Sequence, residues 1–147
     1  MGQWICIDHG DKRIGLAAGS TEQGIASPLK VIPAEPHDDA VAAIKTTAAD
    51  YNADGLVVGW PLNMDDSEGP QGKVARAFAA ELAEATGMDV RMWDETLSSF
   101  AADGRLAGHL TKQKRKRRRD AAAAAAILED FLRRDGPIDA PSPDQTD

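Results

Sequence analysis

Asp8, the pair Asp94-Glu95 and Asp120 are the residues of this 147-residue chain whose types and placement could do chemistry together. Asp8 closes the apolar run Trp4-Ile5-Cys6-Ile7. Such a run reads as a strand buried on both faces, and an ionised carboxylate at its end is costly unless a cation compensates it. Asp94-Glu95 ends a second strand-like stretch, Asp89-Val90-Arg91-Met92-Trp93. Adjacent strand residues point to opposite faces, so only one of the two acids can face the rim where Asp8 sits. Asp120 opens an alanine-rich helix in which Ala124, Ile127, Leu128 and Phe131 follow at +4, +7, +8 and +11, all on one stripe. Asp120 therefore lies with the core-facing side, whereas Glu129 and Asp130 fall off the stripe and read as solvent acids. The bland alternatives are that Asp94 caps the next helix and that Asp120 pairs with a neighbouring arginine. Three carboxylates from two strand ends and one helix suit hard divalent cations, Mg²⁺ or Mn²⁺. Two such ions about 4 Å apart activate a water and stabilise the leaving oxygen of a phosphodiester. His9, His37 and His109 are too scattered to suggest zinc, and the single cysteine, Cys6, reads as a small buried hydrophobe.

The elements that would carry these groups follow from periodicity and punctuation. The first strand is followed by the turn His9-Gly10-Asp11-Lys12 and a return strand over Arg13 to Ala18. A third strand centres on Leu29-Lys30-Val31-Ile32 and is ended by Pro33 and Pro36. Asp38 or Asp39 can cap a helix over about 40–51. A buried strand over 56–59 leads into the loop Gly59-Trp60-Pro61-Leu62-Asn63. The next helix runs over about 71–85, with Val74, Phe78 and Leu82 at spacings of four. After the fifth strand, Ser98 or Ser99 starts a short helix to about Leu106, and the last helix spans about 114–134. The order β-β-β-α-β-α-β-α-α predicts an α/β fold. Its mixed five-stranded sheet has the first three strands antiparallel and the later ones parallel to the first, with helices on both faces. Sites in such sheets gather at the carboxyl ends of the parallel strands, where Asp8, Asn63 and Glu95 lie. One domain is expected over 1–135, and the Pro- and Asp-rich stretch 136–147 is expected to be a disordered tail.

The net charge of −7 hides a strong polarity. Lys112, Lys114, Arg115, Lys116, Arg117, Arg118 and Arg119 form one run, outside which 10 basic residues face 24 acidic ones. A compact positive patch on an acidic body is the footprint of a polyanion binder; the bland reading is a solvated basic stretch. No apolar run approaches the ~20 residues of a membrane span, no secretory signal is visible at the N-terminus, and the cytoplasm is the expected compartment.

Four segments in order carry a family resemblance: Asp8-His9-Gly10-Asp11-Lys12-Arg13-Ile14-Gly15-Leu16-Ala17, Val58-Gly59-Trp60-Pro61-Leu62-Asn63-Met64-Asp65, Asp94-Glu95-Thr96-Leu97-Ser98-Ser99 and Asp120-Ala121-Ala122-Ala123-Ala124. Together they resemble the motifs of the YqgF (RuvX) family over roughly residues 3 to 132. Thr96-Leu97 stands where the family often has Arg-Leu, and Asp66 where glycine is common. The resemblance implies an RNase H-like fold and catalytic, metal-binding acids at Asp8, Glu95 and Asp120. It also implies an activity on nucleic acid, either processing of the 5′ end of pre-16S rRNA or resolution of Holliday junctions.

The leading expectation is a metal-dependent endonuclease, monomeric or homodimeric, acting on precursor rRNA or on branched DNA. Lys12, Arg13 and the basic run would hold backbone phosphates. A sugar-kinase or actin-like ATPase also places Asp and Gly after a first strand, but this chain is too short for two lobes. Its Gly69-Pro70-Gln71-Gly72-Lys73-Val74 lacks the spacing and the Ser or Thr of a P-loop. A non-catalytic RNA-binding assembly factor on the same fold is the third class.

Overall fold

The computed structural model describes residues 2–63, 65, 67–95 and 112–143, of which 112–120, 138 and 139 are described in backbone only. The helix expected from Ser98 or Ser99 to Leu106, and Met64, Asp66, Thr96, Leu97 and His109, lie outside the described residues.

Strands β1 (Gln3–His9), β2 (Arg13–Ser20) and β3 (Ala26–Pro33) form an antiparallel meander. Helix α1 (His37–Asp50) crosses to β4 (Gly55–Trp60), and α2 (Pro70–Thr86) crosses to β5 (Asp89–Asp94). Both of these strands lie parallel to β1's direction, giving the sheet order β3-β2-β1-β4-β5. Helices α3 (Lys112–Arg133) and α4 (Gly136–Asp139) complete the described elements. This is the mixed five-stranded sheet that the element order predicts. Among the described residues, no helix is long and apolar enough to cross a membrane.

Strand alternation sorts the core into two layers. Ile5, Ile7, Ile14, Leu16, Leu56, Val58, Val90 and Met92 face α1 and α2. Trp4, Cys6, Ala17 and Val57 face α3. The expected stripe of α3 holds: Ala124, Leu128 and Phe131 are fully buried and Ile127 nearly so. Full burial of a ring such as that of Phe131 contributes about 2–3 kcal/mol, and it seats edge-on against both Trp4 and Trp93. The alanines at 121 and 123–125 let the helix lie close on the sheet.

Several local expectations are corrected. Helix α1 starts at His37 with Asp38 and Asp39 inside its first turn, where they meet the positive end of the helix dipole instead of capping it through a side chain. Val74 is 54% exposed. The inward stripe of α2 is Gly72, Ala75, Phe78, Ala79 and Leu82, and Val74 lies about 100° around the helix from Ala75. Gly87 ends α2 in the left-handed region, at φ 68°, donating its N–H to the Ala83 carbonyl. Within the stretch expected to be a tail, residues 136–143 are described. Helix α4 folds back, Ala140 is buried against the α3 layer, and the Pro141 carbonyl accepts the Met92 N–H on the outer edge of β5. Arg91 reinforces this by donating to the Ala140 carbonyl at 2.8 Å. Composition signalled disorder, whereas an open sheet edge supplied a partner.

Candidate active site

β1, β4 and β5 run side by side, and their carboxyl ends form one rim. The pairing of Ile7 with Val58 continues to Asp8 beside Gly59, and Gly59 in turn pairs with Trp93. Asp8 has the parity of Trp4 and Cys6 and so faces α3. On β5, Trp93 packs into the same layer while Met92 faces the other way. Glu95 shares the parity of Trp93, and its carboxylate lies on the Asp8 side of the sheet, near Gly59.

Gly59 is what lets them meet. A Cβ placed on it would lie 3.1 Å from Glu95 Oε2, 3.8 Å from Asp8 Oδ1 and 3.0 Å from Ile127 Cδ1. The two carboxylates therefore reach toward each other from the strands flanking β4, across a position with no side chain. Ile127 of α3 closes the floor. Beneath, the Cys6 thiol is pushed well up by burial and then by the charges of Asp8 and Glu95. Burial, with Asp94 next in sequence, also raises the Glu95 carboxyl. A half-buried carboxylate disfavoured by its surroundings, converging on a second one, makes an oxygen donor set that fits a hard divalent cation.

The third acid lies on α3. Phe131 packs near the start of β1 and Ile127 near the end of β4, so α3 runs against β1 with its N-terminal half toward the rim. Residue 120 precedes Ile127 by two turns, about 10 Å along the axis, on the same stripe. Its side chain lies outside the described ones, as do those of Lys112, Lys114, Arg115, Lys116, Arg117, Arg118 and Arg119, whose backbone forms the opening turns of α3. Among the described side chains, no group of three or more His, Cys, Asp or Glu residues forms a metal-binding set. Arg13 begins β2 on the face of Asp8, and Lys12 is exposed in the preceding turn, where Gly10 donates to the Arg13 carbonyl.

Sequence reading missed three features around the rim. The loop leaving β4 is tied down: Trp60 Nε1 donates to Glu68 Oε2 at 3.1 Å, and Arg76 holds the other Glu68 oxygen at 2.8 Å. Asn63 is part of this loop, donating to Ser67 Oγ rather than reaching the rim acids. Asp130 and Glu129 are not free solvent acids. Trp93 Nε1 donates to Asp130 Oδ2 at 2.8 Å, and Glu129 Oε2 accepts the Ala26 N–H at 3.3 Å. Finally, His9 and His37, far apart in sequence, flank Phe78. His37 bonds Glu81, which raises its pKa, while burial and then His37 lower that of His9. The raised His37 value fixes a sign. The His37–Glu81 pair adds stability below the unfolded histidine pKa and loses it as pH rises through the folded value. His37→Ala should thus narrow the gap in unfolding midpoint between mildly acidic and neutral buffer, which thermal melts at several pH values would check.

The chain is similar to known proteins in both sequence and fold. A family profile described as RuvX, Holliday junction resolvase, matches residues 2–134. A Rhodobacter capsulatus protein, provisionally named pre-16S rRNA nuclease, is 40% identical over 135 residues, covering 91% of this chain and 85% of that one. A relative of the same provisional name from Anaeromyxobacter dehalogenans is 41% identical over 132 residues, covering 89% and 96%. Among solved structures, Thermus thermophilus RuvC in complex with a Holliday junction substrate superposes with a TM-score of 0.64 at 15% identity, over 95% of this chain and 99% of that one. At that identity the likeness speaks for the fold, which is the RNase H-like one expected. With matching motifs, a matching sheet and relatives at this identity over nearly the whole chain, the protein belongs to the RuvX (YqgF) family.

Proposed function

We propose that this protein is a metal-dependent endonuclease of structured nucleic acid, acting in the cytoplasm on the 5′ end of the 16S rRNA precursor. The observation that carries the reading is the convergence of Asp8 and Glu95 over Gly59 at the carboxyl ends of the strands. These two acids, completed by Asp120, would hold Mg²⁺ or Mn²⁺, which when bound supply water activation and charge neutralisation at a phosphodiester. The chain's own part is positional. Gly59 leaves room at the rim, Ile127 closes its inner side, and the tied loop after β4 keeps one wall fixed. Lys12, Arg13 and the basic turns of α3 grip backbone phosphates on either side of the acids, giving affinity without sequence reading. The names of the relatives favour rRNA, and the family description keeps the four-way DNA junction as the second substrate.

The test is a panel of labelled 16S precursor, four-way junction and plain duplex, with Mg²⁺ or Mn²⁺, at several salt concentrations. Selective cleavage of the precursor supports the reading, and selective junction cleavage moves it to resolution. Tight RNA binding without cleavage, unchanged in Asp8→Asn, moves it to a non-catalytic assembly factor. Binding should weaken with salt at a logarithmic slope of about −0.7 per phosphate held on a single strand. Replacing Arg115, Arg117 and Arg118 by Gln should flatten that slope by roughly 0.7 for each phosphate released.

A further inference from the structure

We propose that Asp130, through Trp93, is a positioning residue that sets the register of α3 on the sheet and so places residue 120 against Asp8 and Glu95; this rests on the metal-site reading above. The alanines that let α3 lie close have no shape with which to hold a register. Over 121–125 the buried face is methyl groups, which resist sliding or turning less than large interlocking side chains do. The register must come from beyond the alanines, from the packing of Ile127, Leu128 and Phe131 and from polar bonds that lie at the two sides of the sheet. On one side Trp93 Nε1 donates to Asp130 Oδ2 at 2.8 Å. On the other, Glu129 accepts the Ala26 N–H, and Arg133 Nε donates to the Gly24 carbonyl at 3.0 Å. Two pins on opposite flanks fix both rotation and axial position, which one pin cannot do.

The Trp93 pin has a special place. Trp93 precedes Glu95 by two residues on the same face of β5, pairs with Gly59, and sets its ring edge-on to Phe131. The bond therefore couples the strand that carries one acid to the helix that carries another. Asp130 lies ten residues beyond Asp120, roughly 15 Å along a rigid helix. A small turn at the pinned end is carried undiminished to the rim.

The experiment titrates Mn²⁺ into full-length protein by electron paramagnetic resonance, alongside thermal melts without metal, for wild type, Asp8→Asn, Asp130→Ala, Asp130→Asn and Trp93→Phe. Asp130→Ala and Trp93→Phe should raise the Mn²⁺ Kd about tenfold, as loss of outer-shell support does. Asp130→Asn, which keeps an oxygen for the indole N–H, should bind close to wild type. Variants that melt lower but bind Mn²⁺ as wild type does would make the bond merely structural and overturn the inference, with the metal site intact. Wild type and Asp8→Asn binding Mn²⁺ alike would overturn the metal-site reading itself, and this inference with it.

Discussion

Asp8→Asn and Glu95→Gln should each slow metal-dependent cleavage by about 10³-fold, equivalent to roughly 4 kcal/mol of barrier. Each removes one of the oxygens that converge on the rim, and the neutral amide cannot replace a charged donor to a hard cation. The two variants should differ in stability. The Glu95 carboxyl is raised by burial and by Asp94, so the fold disfavours its ionised form. The sign follows from linkage: the folded state holds this proton more tightly. Stability is therefore greatest below the unfolded pKa of Glu95 and declines as pH rises through the folded value. Glu95→Gln should lack that decline and unfold at a higher temperature near neutral pH. The gain is on the order of 1 kcal/mol, or about 2–4 °C for a domain of this size. Single-turnover cleavage and melts from pH 4 to 8 measure both effects. Wild-type cleavage rates in either variant would remove these acids from the reaction.

Filling the gap over β4 should be nearly as damaging. In Gly59→Ala the new methyl would lie 3.1 Å from Glu95 Oε2 and 3.0 Å from Ile127 Cδ1. Both are ends of flexible side chains, so the fold survives with a cost of about 1 kcal/mol. The Glu95 carboxylate must give by a few tenths of an ångström, and metal affinity should fall about tenfold. Gly59→Val cannot be relieved so simply. It should cost about 1–3 kcal/mol of stability and lower cleavage by roughly 10²-fold, the usual effect of misplacing a reacting group by about 1 Å. Saturating Mn²⁺ should restore much of the alanine variant and little of the valine one. An alanine variant with unaltered Mn²⁺ affinity and rate would show that the acids do not work across Gly59.

What was legible in the chain was what local chemistry dictates. The buried runs around Ile5, Val57 and Met92, the glycine and proline stops, and the +4, +7, +8, +11 stripe of α3 gave the five strands, the helices α1, α2 and α3, and helices on both faces of the sheet. Period-two alternation reduced Asp94-Glu95 to one choice and the family resemblance pointed to Glu95, but the nearness of its carboxylate to Gly59 is visible only with the partner strand in place. What was not legible depended on neighbours distant in sequence. Asp130 lies off the apolar stripe and looks like a solvent acid until Trp93 arrives from β5 with an N–H to donate. Val74 follows the right spacing yet sits at the border of a stripe whose width is set by what covers it. Gly59 looked like part of a loop entrance. Its importance lies in an absent side chain, which no residue-type rule flags.

The docked segment after α4 has a consequence for self-association. Because Pro141 occupies the outer side of β5, that border of the sheet offers little template for a strand from another molecule. The opposite border, β3, contains Pro28 and Pro33, each without an N–H to donate, and an irregular register opposite Leu16 and Ala17. Both lateral margins are thus blunted against edge-to-edge aggregation, one by a folded-back terminus and one by imino acids.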